Sequence, residues 1–298
     1  MLVSYADIEL GQLDYSRGGV RISEIDFSYP EIRSSDNPRE ARDGVTPGRD
    51  YFGGRTMSIE CWTDGDSMTS ARELAGSVLS RWRDAAVRLQ AGVLAPLDFQ
   101  AVDDTTLRRV YGRPRRADDP NFGVVMRQGK AVFTLEFEVM DPTFYAGGDS
   151  GLESAAIRVV AGGSGTGWRF PITWPVRTEA VAERREGSLS ITGELPTAAV
   201  ISFHGPGRRF SLDGNRGWHV GLNSSVELAY DEVLTIDPLA GTVTDNFGRD
   251  RYGALDRRSQ LTGIMLTPGV ENVFFSAEDQ SNTAYATVSW RPAYPSAA

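Results

Sequence analysis

Phe133-Thr-Leu-Glu-Phe-Glu-Val-Met-Asp141-Pro-Thr-Phe-Tyr145-Ala-Gly-Gly148 decides the reading of the fold. Phe133, Leu135, Phe137 and Val139 share one face of this stretch, while Thr134, Glu136 and Glu138 share the other. Strict alternation of that kind belongs to an antiparallel strand buried on one side and wet on the other. Pro142, Gly147 and Gly148 then stop it, which places a domain junction around Asp141, Pro142 and Tyr145. The expected division is 1–147 and 148–298, and 298 residues at roughly 100–200 per domain fits two.

Upstream, the chain reads as strands around one helix. Residues 7–15 and 20–27 look like two β arms joined at Arg17-Gly-Gly19, and Met57, Ile59 and Cys61 alternate on a further strand. Residues 29–54 form a long polar connection containing Ser34-Ser-Asp-Asn-Pro38. Structureless loops longer than ~15 residues are uncommon inside compact domains and are either functional or disordered. Both readings stay open here: an arm ordered by a partner, or a mobile loop. The helix is expected over about 68–91, because Met68, Ala71, Leu74, Ala75, Val78, Leu79, Trp82, Ala85, Ala86 and Leu89 recur at helical spacing. Ser70 and Glu73 have capping-box spacing, and Trp82 on the stripe reads as core. Short strands are expected at 97–101, 107–111 and 123–127.

Downstream, short apolar runs return every 8–12 residues with turn signals between them, including Asp213-Gly214, Ala240-Gly241 and Pro268-Gly269. In the last run Ala284, Ala286, Val288 and Trp290 oppose Thr283, Tyr285, Thr287 and Ser289. Regular short strands with one apolar face describe an antiparallel β-sandwich. The fold class is therefore mainly β: a mixed amino-terminal β domain with one amphipathic helix, then a sandwich.

Charge and residue usage exclude several functions. Asp and Glu number 40 against 31 Lys and Arg, a net charge of −9. Nucleic-acid binders normally carry a basic surplus, since phosphate neutralisation supplies most of their affinity. Sequence-specific DNA binding is not expected, with Arg113-Pro-Arg115-Arg116 as one local basic patch. Lys130 is the one lysine, an arginine bias that points to a GC-rich genome. No run approaches ~18 apolar residues, so no membrane span is expected. The start, from Met1 to Leu10, has neither a basic region nor a long apolar run, so no secretory leader is expected.

The chemistry-bearing residues are sparse. Cys61 is alone and reads as a buried structural thiol. His204 and His219 stand without a Cys or His cluster, so neither a metal nor a cofactor is expected. No Gly-x-Ser-x-Gly elbow is present. Gly162-Gly-Ser-Gly-Thr-Gly167 lacks both phosphate-loop spacing and a following helix, and reads as a flexible connection. Ser211-Leu-Asp213-Gly-Asn-Arg-Gly217-Trp218 faintly resembles a sialidase aspartate box but reads as a hairpin turn. Asp245, Asp250 and Asp256 lack calcium-loop spacing and read as solvated turns. Nothing here calls for an enzyme.

The layout as a whole resembles the distal tail protein family of long-tailed (siphovirus) bacteriophages, called minor tail proteins in phages of actinobacteria. The strand ending in Asp141-Pro-Thr-Phe-Tyr145 carries the resemblance first. Leu266-Thr-Pro-Gly269-Val-Glu-Asn272-Val-Phe-Phe275 is similar to the family's Pro-Gly-x-x-Asn turn, and Asp237-Pro-Leu-Ala-Gly-Thr-Val-Thr-Asp-Asn246 to its preceding hairpin. Ser281 to Ala286 and Trp290-Arg-Pro-Ala-Tyr-Pro295 resemble the endings of actinobacteriophage tail proteins.

That resemblance implies a structural virion component at the tail tip, assembled in the bacterial host cytoplasm. Family members form a homo-hexameric ring that joins the tail tube protein to the tail-tip hub protein, with receptor-binding proteins as further partners. DNA passes through the channel without specific binding, a role that an acidic chain suits because negative walls repel phosphate. The carboxy-terminal domain is expected to be galectin-like or carbohydrate-binding-module-like. The alternative function is a module recognising host cell-wall glycan, for which Trp218, His219 and Arg208, with His204 and Asn223, are candidate contacts by residue type. Against that, and in preference to it, Trp218 reads as core and the histidines as surface.

Overall fold

The computed structural model describes all residues except 7, 12–18, 84, 102–104, 122, 159–182, 280, 282 and 298. Alternation governs the long strands. Val132–Val139 buries every second side chain, and so does Arg55–Asp64, which pairs with it antiparallel from Trp62 opposite Val132 to Arg55 opposite Val139. The chain forms two compact units, Met1–Asp149 and Ser150–Pro295.

In the first unit the strands are β1 (Leu2–Tyr5), β2 (Ile8–Leu10), β3 (Gly19–Phe27), four short ones β4 (Ile32–Ser34), β5 (Asn37–Pro38), β6 (Val45–Thr46) and β7 (Asp50–Phe52), then β8 (Arg55–Asp64), β9 (Ala95–Gln100), β10 (Arg108–Ala117), β11 (Val132–Val139) and β12 (Phe144–Ala146). The main sheet runs β2-β1-β9-β10-β11-β8-β3, all antiparallel, with β12 also paired to β10. Its two ends meet where Gly11 N donates to Val20 O at 2.9 Å.

Helix α1 (Met68–Trp82) covers the core with Ala71, Ala75, Val78, Leu79 and Trp82. Trp82 is 1% exposed, meets Tyr5 and Phe137 edge-on, and donates its indole N–H to Arg116 O at 3.2 Å. Its cap differs from the capping box expected at Ser70. Ser67 is the N-cap, and its Oγ accepts from Ser70 N at 3.2 Å. The single helix expected to 91 is also two: α1 ends at Trp82, and a short α2 (Ala85–Leu89) follows. Met68 and Leu89, at the ends of the stripe, are exposed.

The stretch 123–127 was expected as a strand and is instead a 3-10 turn, Val124–Gln128. Its amides close locally, Met126 N on Gly123 O and Gly129 N on Met126 O, and Met126 is buried. Gly129 has a positive φ, and a Cβ there would meet Gly65 O at 1.6 Å, so only glycine fits beside the start of α1.

The second unit contains β13 (Glu153–Arg158), β14 (Glu183–Ile191), β15 (Thr197–His204), β16 (Gly207–Gly214), β17 (His219–Gly221), β18 (Glu227–Leu228), β19 (Val233–Asp237), β20 (Thr242–Asp245), β21 (Met265–Leu266), β22 (Gly269–Glu278) and β23 (Tyr285–Trp290). One sheet runs β13-β23-β15-β19-β20, with β21 on β15; the other runs β14-β22-β16-β17, with β18 on β16. Both contribute to one core in which Phe203 from the first sheet packs on Phe210 and Phe275 from the second. This is the expected antiparallel sandwich, and the protein is mainly β. The apolar run 261–266 reads by sequence as one of the short strands, but a 3-10 turn, Leu261–Gly263, precedes the two residues of β21. The glycine-rich 162–167 lies outside the described residues. Among the described residues, no helix is long and apolar enough to cross a membrane.

Cys61 is buried on β8, and burial pushes its thiol up to about 12. Folded protein is therefore expected to resist alkylation by iodoacetamide at about pH 8, and denatured protein to react fully, read by mass spectrometry. Trp82→Ala should cost about 3–5 kcal/mol in urea unfolding, because it empties the centre of the α1 contact.

Candidate functional site

Three places in the structure hold side chains that the folding of a core does not explain. The first is the connection 29–54. It is not structureless: β4 pairs with β7, from Ile32 opposite Phe52 to Ser34 opposite Asp50, and β5 pairs with β6. Below them Ser28 N donates to Thr56 O and Glu31 N to Gly54 O, so the ribbon continues the β3–β8 pairing beyond the sheet. Asp36 Oδ1 accepts from Gly48 N at 2.8 Å, and Ser35 Oγ from Arg49 N at 3.2 Å, which fixes the register. Every residue of β4 to β7 is exposed. Tyr29 is 77% exposed and Phe52 59%, with Ile32, Val45 and Tyr51 about half exposed. A two-stranded ribbon is at best marginally stable alone in water, and this one leaves its apolar side chains uncovered.

The second place is the turn after β11. Asp141 Oδ1 accepts from Thr143 N at 3.0 Å, and Oδ2 accepts from the Tyr145 hydroxyl at 2.6 Å. Burial, reinforced by the neighbouring Asp141 charge, pushes the Tyr145 phenol well above its usual value, so it stays a donor. Arg55 donates to Pro142 O and lies 4.5 Å over the Phe144 ring. Asp141, Pro142 and Tyr145 thus build a rigid turn between β11 and β12, within the first unit.

The third is a cavity of about 560 Å³ in the second unit. Its base is the β16–β17 hairpin, in which Asp213 pairs with His219 and Gly214 N donates to Trp218 O. The stretch 211–218 is thus the expected hairpin turn. A Cβ on Gly214 would lie 2.2 Å from the Trp218 indole nitrogen, so the residue must be glycine for the ring to fold inward. Trp218 is 7% exposed and donates Nε1–H to Glu271 Oε1 at 2.8 Å. Glu271, on β22, is fully buried, with Arg216 Nε 3.6 Å from Oε2.

His219 was expected at the surface but is bracketed: Nδ1 lies 2.7 Å from Asp213 Oδ1 and Nε2 3.0 Å from Asp256 Oδ2. Both ring nitrogens are engaged by carboxylates, which leaves none to activate a hydroxyl. Ser259 Oγ lies 2.7 Å from Asp256 Oδ1 instead. Burial pulls the Asp256 carboxyl upward, but hydrogen bonds from His219 and Ser259 outweigh it and hold the group below its usual value.

The other candidate contacts lie elsewhere. Arg208, at the start of β16, is ion-paired with Glu227. Asn223 Nδ2 donates to Gly253 O and Leu255 O. His204 stacks on Tyr285 at 4.0 Å, and burial lowers its pKa. Asp245 is not in a solvated turn. It is buried, because Arg249 and Arg251 approach it and the amides of Phe247 and Arg249 donate to it. No group of three or more His, Cys, Asp or Glu is placed to hold a metal among the described residues. The basic stretch 113–116 is also occupied: Arg115 pairs with Glu138, Arg116 with Asp118, and Arg113 donates to Val93 O. Glu271 is not singled out by sequence, and Asp256 is weighed there only as part of a calcium loop; β22 pairing with β16 brings the first to the hairpin, and the turn whose Asp256 N donates to Gly221 O brings the second.

No family model and no curated protein matches the chain. Solved structures do. The crystal structure of the SPP1 Dit protein, described as a paradigm of the hub adsorption apparatus in phages infecting Gram-positive bacteria, aligns with a TM-score of 0.56 at 16% identity. That alignment covers 98% of each chain. The phage P2 baseplate in its activated conformation with calcium aligns at 0.51 and 11% identity, covering 93% of this chain and 92% of that one. The fold is thus that of phage distal tail and baseplate hub proteins.

Asp256 carries a pH prediction. A carboxyl held below its unfolded value adds stability that is complete above about pH 4 and is lost as pH falls through the folded value. Asp256→Asn is therefore expected to flatten the loss of urea stability between about pH 5 and pH 2 relative to the parent chain.

Proposed function

We propose that this chain is the distal tail subunit of a siphovirus-type phage infecting an actinobacterial host. In this reading it is a non-enzymatic virion protein whose homo-hexameric ring joins the tail tube protein to the tail-tip hub protein and carries receptor-binding proteins. The observation that supports it most is the end-to-end alignment of both units with a Dit protein, 98% of each chain. Two independent units aligned in the same chain order are harder to reach by chance than one common sandwich. Residues 1–147 form the ring in this reading, and the sandwich faces the adhesion apparatus.

A ring built head to tail needs two different complementary surfaces on each subunit. The 29–54 ribbon supplies one: its uncovered Tyr29, Ile32, Tyr51 and Phe52 are side chains that a neighbouring subunit would bury. The net charge of −9 fits a channel that passes DNA without holding it.

Negative-stain electron microscopy with mass measurement tests this. Six-membered rings with a central channel are expected at high protein concentration. A strict monomer at every concentration, alone and with tail tube protein, would overturn the reading. Deleting residues 34–50 is expected to abolish rings while leaving the urea midpoint of the sheet nearly unchanged; rings that survive the deletion assign the interface elsewhere.

A further inference from the structure

The cavity beside the β16–β17 hairpin has features that tail assembly does not use. At about 560 Å³ it lies within the ordinary size range of small-ligand sites. Arg216, His219 and Arg258 line it, with Gln260 and Thr267 adding neutral polar groups. No carboxylate is among its lining residues, of those described. The nearest acids stand behind the wall, each turned onto a donor: Glu271 onto Trp218 and Arg216, Asp213 onto His219, and Asp256 onto His219 and Ser259.

Two of those arrangements set the character of the site. A carboxylate as deeply buried as Glu271 has given up its hydration and needs its partners to offset that loss. Its partners here, the Trp218 and Arg216 side chains and the Thr267 amide, all belong to the cavity wall, so it fixes where they stand. Arg258 is the opposite case, exposed on its turn and without an ion pair among the described residues. The wall therefore presents one guanidinium held in place and one with its fork unused. Trp218 offers no ring face, since it is buried with its N–H already spent. That removes the stacking surface on which a neutral pyranose depends.

We infer that this cavity binds a small polyhydroxylated ligand carrying an oxyanion, either a sugar carboxylate or a polyol phosphate. Arg258 takes the oxyanion through its bidentate fork, and Arg216 stands as the second cation. Gln260 and Thr267 meet the hydroxyls. Because the chain is acidic overall, attraction is confined to these contacts at short range, and affinity falls as salt rises.

Isothermal titration of the full chain at low ionic strength, with glucuronate, glycerol 3-phosphate, inorganic phosphate and glucose, tests the inference. Glucuronate, glycerol 3-phosphate or both should bind, and whichever binds identifies the source of the oxyanion. Arg258→Gln should weaken that binding about tenfold or more, with an unchanged urea midpoint, and Arg258→Lys should restore part of it. Four results would each overturn the inference: neither anion binding at millimolar concentration, glucose binding as well as the anions, inorganic phosphate alone binding, or Arg258→Gln binding like the parent. Ring formation is a separate readout, so failure here leaves the tail reading untouched and the converse also holds.

Discussion

The long strands β8, β11, β22 and β23 each surrender one face to a core, and that constraint organises much of the rest. On β11 the buried residues are Phe133, Leu135, Phe137 and Val139; on β23 they are Ala286, Val288 and Trp290. Side chains that escape the rule stand out at once. The 29–54 ribbon has paired backbones and no buried face at all, and it therefore lacks the apolar burial that makes a sheet independently stable. An element so built suits the proposed ring, in which a neighbouring subunit would cover it.

Much of the architecture was legible because alternation and helical periodicity are local signals. The β11 strand, the apolar stripe from Ala71 to Trp82 and the last strand of the sandwich follow directly from residue spacing. Legibility failed where local chemistry competed. The stretch 123–127 holds two valines that favour a strand, but its amides close on Gly123 and Met126 instead. The helix cap moved to Ser67 because a cap is defined by one hydroxyl reaching one amide, and spacing alone does not show which hydroxyl turns inward. The strand Glu153–Arg158 alternates in burial, but Ala155 and Ala156 stand side by side and hide that alternation in the residue types.

The cavity shows the same limit more sharply. Trp218 and His219 lie next to each other and were visible as a pair by type. Their partners are Glu271 and Asp256, 53 and 37 residues away, brought in by β22 pairing with β16 and by the turn beyond β20. A motif scan sees neighbours in sequence, whereas this site is defined by which acids end up behind which donors. The buried pair Glu271–Trp218 also changes the meaning of the tryptophan, from a ring available to a ligand to a fixed piece of wall.

The ribbon's attachment has a mechanical side. It leaves the sheet as a direct continuation of β3 and β8, and all eight residues of β11 pair with β8. A pull along the ribbon therefore loads β8 against β11 lengthwise. The ladder's hydrogen bonds lie across that direction and share the load in parallel, instead of opening one after another from an end. An arm anchored this way transmits tension into its sheet through the β8–β11 ladder, with the buried face of those strands as the fastening.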